Sequence, residues 1–310
     1  MQSGSATPNR PKLKTSVYLE LLAVALLLGL NAWLLFKMGS WAELKPDPKP
    51  GLLTMIGGMV GMMMVVLGMH ELGHLLTGLM QGFQFTIFVV GPLGIKREAG
   101  RIKVYLNTNL MLAGGIAGTA PVNDSPTNGD RFRRILIAGP MMSLVLSAAC
   151  FWLAKRVGNN STFPAGFFLF ATGLTSITIF LATTVPSKSG VFFTDRKRYQ
   201  RLMLPGKARD VELALLRVMG GFQQHESYRH VAMADIQKLI GADEPINRLL
   251  GHFSLVCQQV EANKQIDPQA ESDYRAAAKQ VSPALAKAYD AELEKYKKTL
   301  LTSATAAPAN

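Results

Sequence analysis

Three ionisable side chains fall within five consecutive residues of an apolar stretch: His70-Glu71-Leu72-Gly73-His74. On a helix, positions i and i+4 share a face, so both imidazoles can reach one metal ion. Glu71 stands beside them and can take a proton from a water on that metal. Zinc suits such ligands; it lowers the pKa of bound water to roughly 7 and polarises a carbonyl. The water becomes the nucleophile on a peptide bond, and no covalent acyl-enzyme is needed. The same five letters on a soluble helix could be plain surface polarity. Here they lie in the run Gly51 to Met80, which is rich in Gly and Met. Ionisable groups at the centre of a membrane span cost about 2.5–3.5 kcal/mol each on insertion scales. A bound metal compensates for that cost.

One zinc per chain needs a third protein ligand, because catalytic zinc usually has three and keeps a fourth position open. The residues alone leave Glu98, Asp124, Asp130 and Asp195 as candidates. Cys150 and Cys257 form no CxxC pair, which argues against a thiolate site and against a disulfide framework. His225 and His230 are five apart, a spacing that does not put them on one helical face. They and His252 read as ordinary residues of a helical tail.

The elements that must position these groups are written in the composition. The chain has 310 residues, 48% hydrophobic and 17% charged, against roughly 25% charged in an ordinary soluble domain. The apolar residues concentrate before about residue 185 and the charged ones after it, so a membrane part precedes a soluble part. Apolar runs at Tyr18–Phe36, Gly51–Met80, Ile135–Lys155 and Pro164–Val185 predict four spans; about 20 residues cross the hydrocarbon. The first reads as a retained signal anchor, since it is long for a signal peptide and no A-x-A site follows it. Between the second and third spans, residues 83–106 read as a small hairpin or sheet. They are rich in Phe, Val and Ile, and Ile102, Val104 and Leu106 alternate with Arg101, Lys103 and Tyr105. Residues 110–121 are apolar but too short to span, which suggests a re-entrant or interfacial loop.

The fold class expected is a mainly α, polytopic membrane protein. It has about four transmembrane helices, a small membrane-associated β-hairpin or sheet, and a C-terminal soluble helical domain. The segments are 1–17 (cytoplasmic), 18–206 (membrane core carrying the metal motif), 207–300 (cytoplasmic helical domain) and 301–310 (disordered tail). The net charge of +12 could suit nucleic acid, but no nucleic-acid-binding motif is present. The Lys and Arg residues instead cluster in loops, as the positive-inside rule expects. With a cytoplasmic N-terminus, four spans place residues 81–134 and 186–310 on the cytoplasmic side as well. Those segments hold Lys96, Arg97, Arg101, Lys103, Arg131, Arg133, Arg134, Lys188, Arg196, Lys197, Arg198 and Arg201.

On these residues the chain resembles the site-2 proteases, intramembrane zinc metalloproteases. Their HExxH motif lies within a transmembrane helix and is matched by His70, Glu71 and His74. Their second motif is an Asp after a later span, and Asp195 is the best match. Gly139-Pro140 matches a Gly-Pro element common in an intervening span, and the β-like segment resembles the family's membrane-associated strands. The resemblance covers roughly residues 50–205. It implies Glu71 as catalytic base and His70, His74 and Asp195 as zinc ligands, and it selects Asp195 among the open carboxylates. Arg196 stands where the family usually has Gly, Ser143 where an Asn often follows Gly-Pro, and no Asn precedes Pro186, so the member is divergent.

The implied activity is cleavage, in or beside the bilayer, of a membrane-anchored regulator or a small precursor peptide. The protein would sit in the cell (inner) membrane with both termini cytoplasmic. A protease must cut an extended segment, and the stretch Phe83–Leu106 offers an edge for strand addition. The rival readings are a catalytically silent membrane scaffold and a metal transporter. Intact Glu71 argues against the first. The second lacks repeated halves.

Overall fold

The computed structural model describes residues 51–98, 100–108, 114–157, 164–186, 188–189, 192–263 and 265–305, together with Gly29 and Trp33. The expected first span, Tyr18–Phe36, lies outside the described residues except for Gly29 and Trp33, which are both helical. The described chain is mainly helical, with one small antiparallel sheet of four strands.

Three of the described helices are long and apolar enough to cross a membrane: α1 (Leu52–Met80), α2 (Asn128–Val157) and α3 (Ala165–Thr184). At 29 residues, α1 is roughly 44 Å long, more than the hydrocarbon thickness requires. Its only charged side chain is Glu71. Helix α2 starts seven residues before the expected span at Ile135. The extra turns carry Asp130, Arg131, Arg133 and Arg134, which suit the water-facing end of a span. Helix α3 stops at Thr184, just before Pro186, which has no N–H to continue the ladder.

The sheet has the order β3-β2-β1-β4, from β1 (Phe83–Val90), β2 (Leu93–Glu98), β3 (Arg101–Leu106) and β4 (Ile116–Pro121). Strands β1 and β2 join through Gly91-Pro92, where the Asn107 amide donates to the Gly91 carbonyl at 2.9 Å. The small hairpin or sheet expected over 83–106 is a sheet, with three of its four strands in that segment. The expectation of a re-entrant or interfacial loop over 110–121 is corrected: residues 116–121 form β4, running from Phe83↔Pro121 to Val89↔Ile116 against β1. Residues 109–113 lie outside the described residues. The sequence Ile-Ala-Gly-Thr-Ala-Pro has little strand propensity of its own, so the partner strand decides its state.

Beyond the spans come a two-stranded ribbon, β5 (Lys188–Ser189) and β6 (Phe192–Phe193), and then six helices. These are α4 (Asp195–Met203), α5 (Lys207–His225), α6 (Met233–Ile240), α7 (Pro245–Asn263), α8 (Pro268–Ala278) and α9 (Pro283–Thr305). Helix α9 extends to Thr305, so residues 301–305 of the segment expected to be disordered are helical.

Two compact units form. Of the described residues, one contains those up to Met63 together with those of 144–182. It is built of apolar helix packing: the Ser147 hydroxyl donates to the Gly173 carbonyl at 2.8 Å, and Phe151 packs on Phe170. The other contains Met64–Ser143 and everything from Thr183 onward. The boundary expected at 206/207 falls inside it. Its cores are a helical cluster that includes Ile236, Leu239, Leu249 and Val256, and a smaller cluster of Phe83, Phe132, Ile135, Leu136, Leu202 and Leu216.

Candidate metal centre

The site lies wholly within the second unit. His70 and His74 project from α1, and their rings meet edge to face with centroids 5.0 Å apart. Helical geometry alone accounts for that pairing. Both side chains are buried. Asp195, the first residue of α4, closes the group: its Oδ2 lies 3.2 Å from His70 Nε2 and 3.3 Å from His74 Nε2. The three side chains offer ligand atoms all within 4.8 Å of one another, and no other such group occurs among the described residues.

Each imidazole is oriented from behind. His74 Nδ1 donates to the Ile135 carbonyl at 2.7 Å. His70 Nδ1 shares a 2.9 Å hydrogen bond with the Ser143 hydroxyl, which is fully buried. Pro140 lies inside α2 and has no N–H for the Leu136 carbonyl, so the ladder is already interrupted beside Ile135. Outer partners of this kind fix which ring nitrogen faces a metal.

The donor set tests whether a metal fits. A carbonyl only accepts, so His74 Nδ1 carries the proton and a neutral ring turns the lone pair of Nε2 toward Asp195. That lone pair and a carboxylate oxygen, both acceptors, then face each other at 3.3 Å. A cation between them resolves the conflict, and two imidazole nitrogens plus a carboxylate oxygen are the donors zinc takes. The site fits the ion.

Glu71 is half-buried, one residue from His70, and its carboxylate lies in reach of the Ala117 backbone N–H at the start of β4. Gly115, just before β4, has φ +100°, a conformation that L side chains rarely adopt; a Cβ there would also stand 3.1 Å from Glu71 Cγ. Gly73 and Gly78 bring α1 close to its neighbours. A Cβ on Gly73 would meet the Ala138 carbonyl oxygen at 2.6 Å, and one on Gly78 would meet Thr119 Oγ1 at 2.6 Å. Strand β4 therefore lies beside the histidine-bearing half of α1, and its outer edge has no partner strand among the described residues. The other edge strand, β3, is at the opposite side of the sheet.

The competing carboxylates stand elsewhere. Glu98 pairs with Lys96 at 3.0 Å and Lys103 at 3.3 Å, Asp130 pairs with Arg133, and Asp124 is exposed. His225 and His230 do approach, with ring centroids 4.6 Å apart. Helix α5 ends at His225 and Glu226 takes φ 51°, so the chain turns back where helical spacing would have kept the rings apart. Sequence reasoning missed the orienting roles of Ser143 and the Ile135 carbonyl and the proximity of Gly115. Contacts across 73 and 61 residues leave no local pattern.

The family model described as Peptidase family M50 matches residues 58–293. No curated protein and no solved structure matches the chain.

Proposed function

We propose, for a chain that belongs to peptidase family M50, a zinc-dependent endopeptidase that cuts a membrane-anchored regulator or a small precursor peptide in or beside the bilayer. His70, His74 and Asp195 hold one zinc ion, and Glu71 is the catalytic base. The observation that carries this reading is the convergence of two imidazole Nε2 atoms and one carboxylate oxygen next to Glu71.

Zinc held there would supply a Lewis acid that acidifies a water and polarises a carbonyl. Ser143 and the Ile135 carbonyl keep both Nε2 atoms turned inward. Glu71 takes the proton of the attacking water at its carboxylate and returns it to the leaving amine. The substrate must present an extended backbone, because a helix hides its peptide groups in its own ladder. The open edge of β4, which begins beside Glu71, suits strand addition better than β3. The three described apolar helices make this a membrane protein. The Lys and Arg bias supports cytoplasmic termini, the four apolar runs support four spans, and the membrane in this reading is the cell (inner) membrane.

The test compares membrane proteomes of cells carrying the native chain and Glu71→Gln. Loss of general-base help lowers cleavage about 10²- to 10⁴-fold, so a precursor accumulates while purified protein keeps its zinc. Normal turnover in the variant would refute the mechanism. A native chain that binds zinc but cleaves nothing would favour the silent scaffold, and zinc uptake into vesicles the transporter.

A further inference from the structure

Asp195 is the one candidate ligand that α1 does not carry. It opens α4, a helix of nine residues, too short to be stable by itself. Something else must fix where its carboxylate stands. The Thr194 hydroxyl donates to the Val185 carbonyl at 2.8 Å and ties down the preceding residue. Leu202 is buried in the cluster with Phe132 and Leu216. Neither contact fixes the rotation of α4 about its axis.

The charged side of α4 does. Arg198 and Arg201 converge on Glu212 of α5, which is 3% exposed. Arg198 donates through Nη2 to Oε2 at 3.0 Å, and Arg201 donates through Nε to Oε1 at 3.1 Å. Arg201 Nη1 also donates to Glu244, between α6 and α7, at 2.6 Å. The Arg198 guanidinium stacks over the Phe132 ring at 4.6 Å, and that of Arg201 over Phe193, two residues before Asp195, at 4.5 Å. A buried carboxylate with two guanidinium partners adds little net stability over apolar packing, but it is directional. Arg198 lies one turn from Asp195, so holding it sets the register of the ligand.

We propose that Glu212 is a positioning residue for the metal centre. By gripping Arg198 and Arg201 it fixes α4, and through α4 the place of the Asp195 carboxylate. The C-terminal helices are then a working part of the site. This inference rests on Asp195 being a zinc ligand, as proposed above.

The experiment uses the full chain in lipid nanodiscs. Zinc affinity is read by competition with a chromophoric chelator, ligand geometry by the visible bands of the cobalt-substituted protein, and folding by circular dichroism. Glu212→Gln keeps the shape and removes the charge. The expected result is a folded protein with zinc affinity lower by about 10- to 100-fold, the scale of lost outer-partner support, and weakened tetrahedral cobalt bands. In an Asp195→Asn background the same change should alter affinity by no more than about twofold, because sites that act through one another do not add. A folded Glu212→Gln protein with native affinity and cobalt spectrum overturns the proposal. So does an equal fall in the Asp195→Asn background, which would mean a general structural effect. Should Glu212→Gln not fold, Arg198→Met decides: it keeps an apolar stem over Phe132 and removes the bond to Glu212 one turn from Asp195; a fall in affinity supports the positioning role, and no change overturns it. If the native chain binds zinc no better than His70→Ala, the metal reading itself fails and takes this inference with it.

Discussion

Gly139→Ala sets two effects of opposite sign against each other. In a helix interior, Gly to Ala ordinarily gains about 0.5–1 kcal/mol, because Ala loses less backbone entropy on folding. Position 139 is inside α2, so propensity alone predicts a slightly more stable protein. The space at that position predicts the reverse for metal binding. A Cβ on Gly139 would stand 2.5 Å from His74 Cε1 and 2.7 Å from Cδ2, with Nε2 nearer still, where real Cβ atoms essentially never come within 3.0 Å. Cε1 must therefore retreat by at least 0.5 Å. Metal–ligand distances tolerate only about ±0.2 Å, so His74 leaves the ligand set. Moving α2 instead offers no escape, since Ser143 on the same helix would be pulled from His70. Zinc affinity should fall at least as far as with loss of an outer partner, about 10- to 100-fold, while the overpacking cost of about 1–3 kcal/mol cancels or exceeds the propensity gain and the melting temperature holds or falls. Gly57→Ala on α1 is the control, because a Cβ there meets nothing within 4 Å. It should show the propensity gain and native zinc affinity. The assays are zinc content after dialysis, chelator competition and thermal unfolding in nanodiscs. Native zinc affinity in folded Gly139→Ala would refute the reasoning.

Asp195→Ala should empty the purified protein of zinc and abolish cleavage, whereas Asp124→Ala, at an exposed position, should do neither; full zinc content in Asp195→Ala would reassign the third ligand. Reporter fusions after Lys45 and after Leu300 should give opposite readouts in cells, and identical readouts would remove the four-span topology. Glu261 accepts from the Tyr228 and Arg229 backbone N–H groups, at 2.7 and 3.0 Å, and from the Ser227 and Tyr296 hydroxyls. Burial pushes its carboxyl up, but those hydrogen bonds outweigh it and hold the group below its usual range. A depressed folded pKa stabilises above the unfolded value of roughly 4.3 and is lost as pH falls through the folded value. Glu261→Gln should therefore lower the melting temperature at neutral pH, by about 1.5–3 kcal/mol of stability, and lose less on acidification than the native chain; parallel acid curves would count against the assignment.

The sequence by itself determined what is local. A 3.6-residue period places His70 and His74 on one face with Glu71 beside them, whatever the rest of the chain does. Hydropathy over about 20 residues marks α1, α2 and α3, because a bilayer leaves a helix few alternatives. Spacing arguments failed where their premise of continuous structure failed: His225 and His230 meet because α5 ends between them, and Ile116–Pro121 became a strand because β1 offered it a partner. The residues alone left four carboxylates open and the family resemblance singled out Asp195, but only the tertiary structure brings it to the histidines. Glu98, Asp124, Asp130 and Asp195 are the same chemistry, and what separates them is the path by which α4 returns to α1 across 125 residues. It also decided which strand edge lies by Glu71, which residues orient the imidazoles, and that a buried Glu212 grips the helix bearing Asp195. Each of these is a contact between residues far apart in the chain. Such contacts depend on how the elements pack, and packing leaves no period in the sequence.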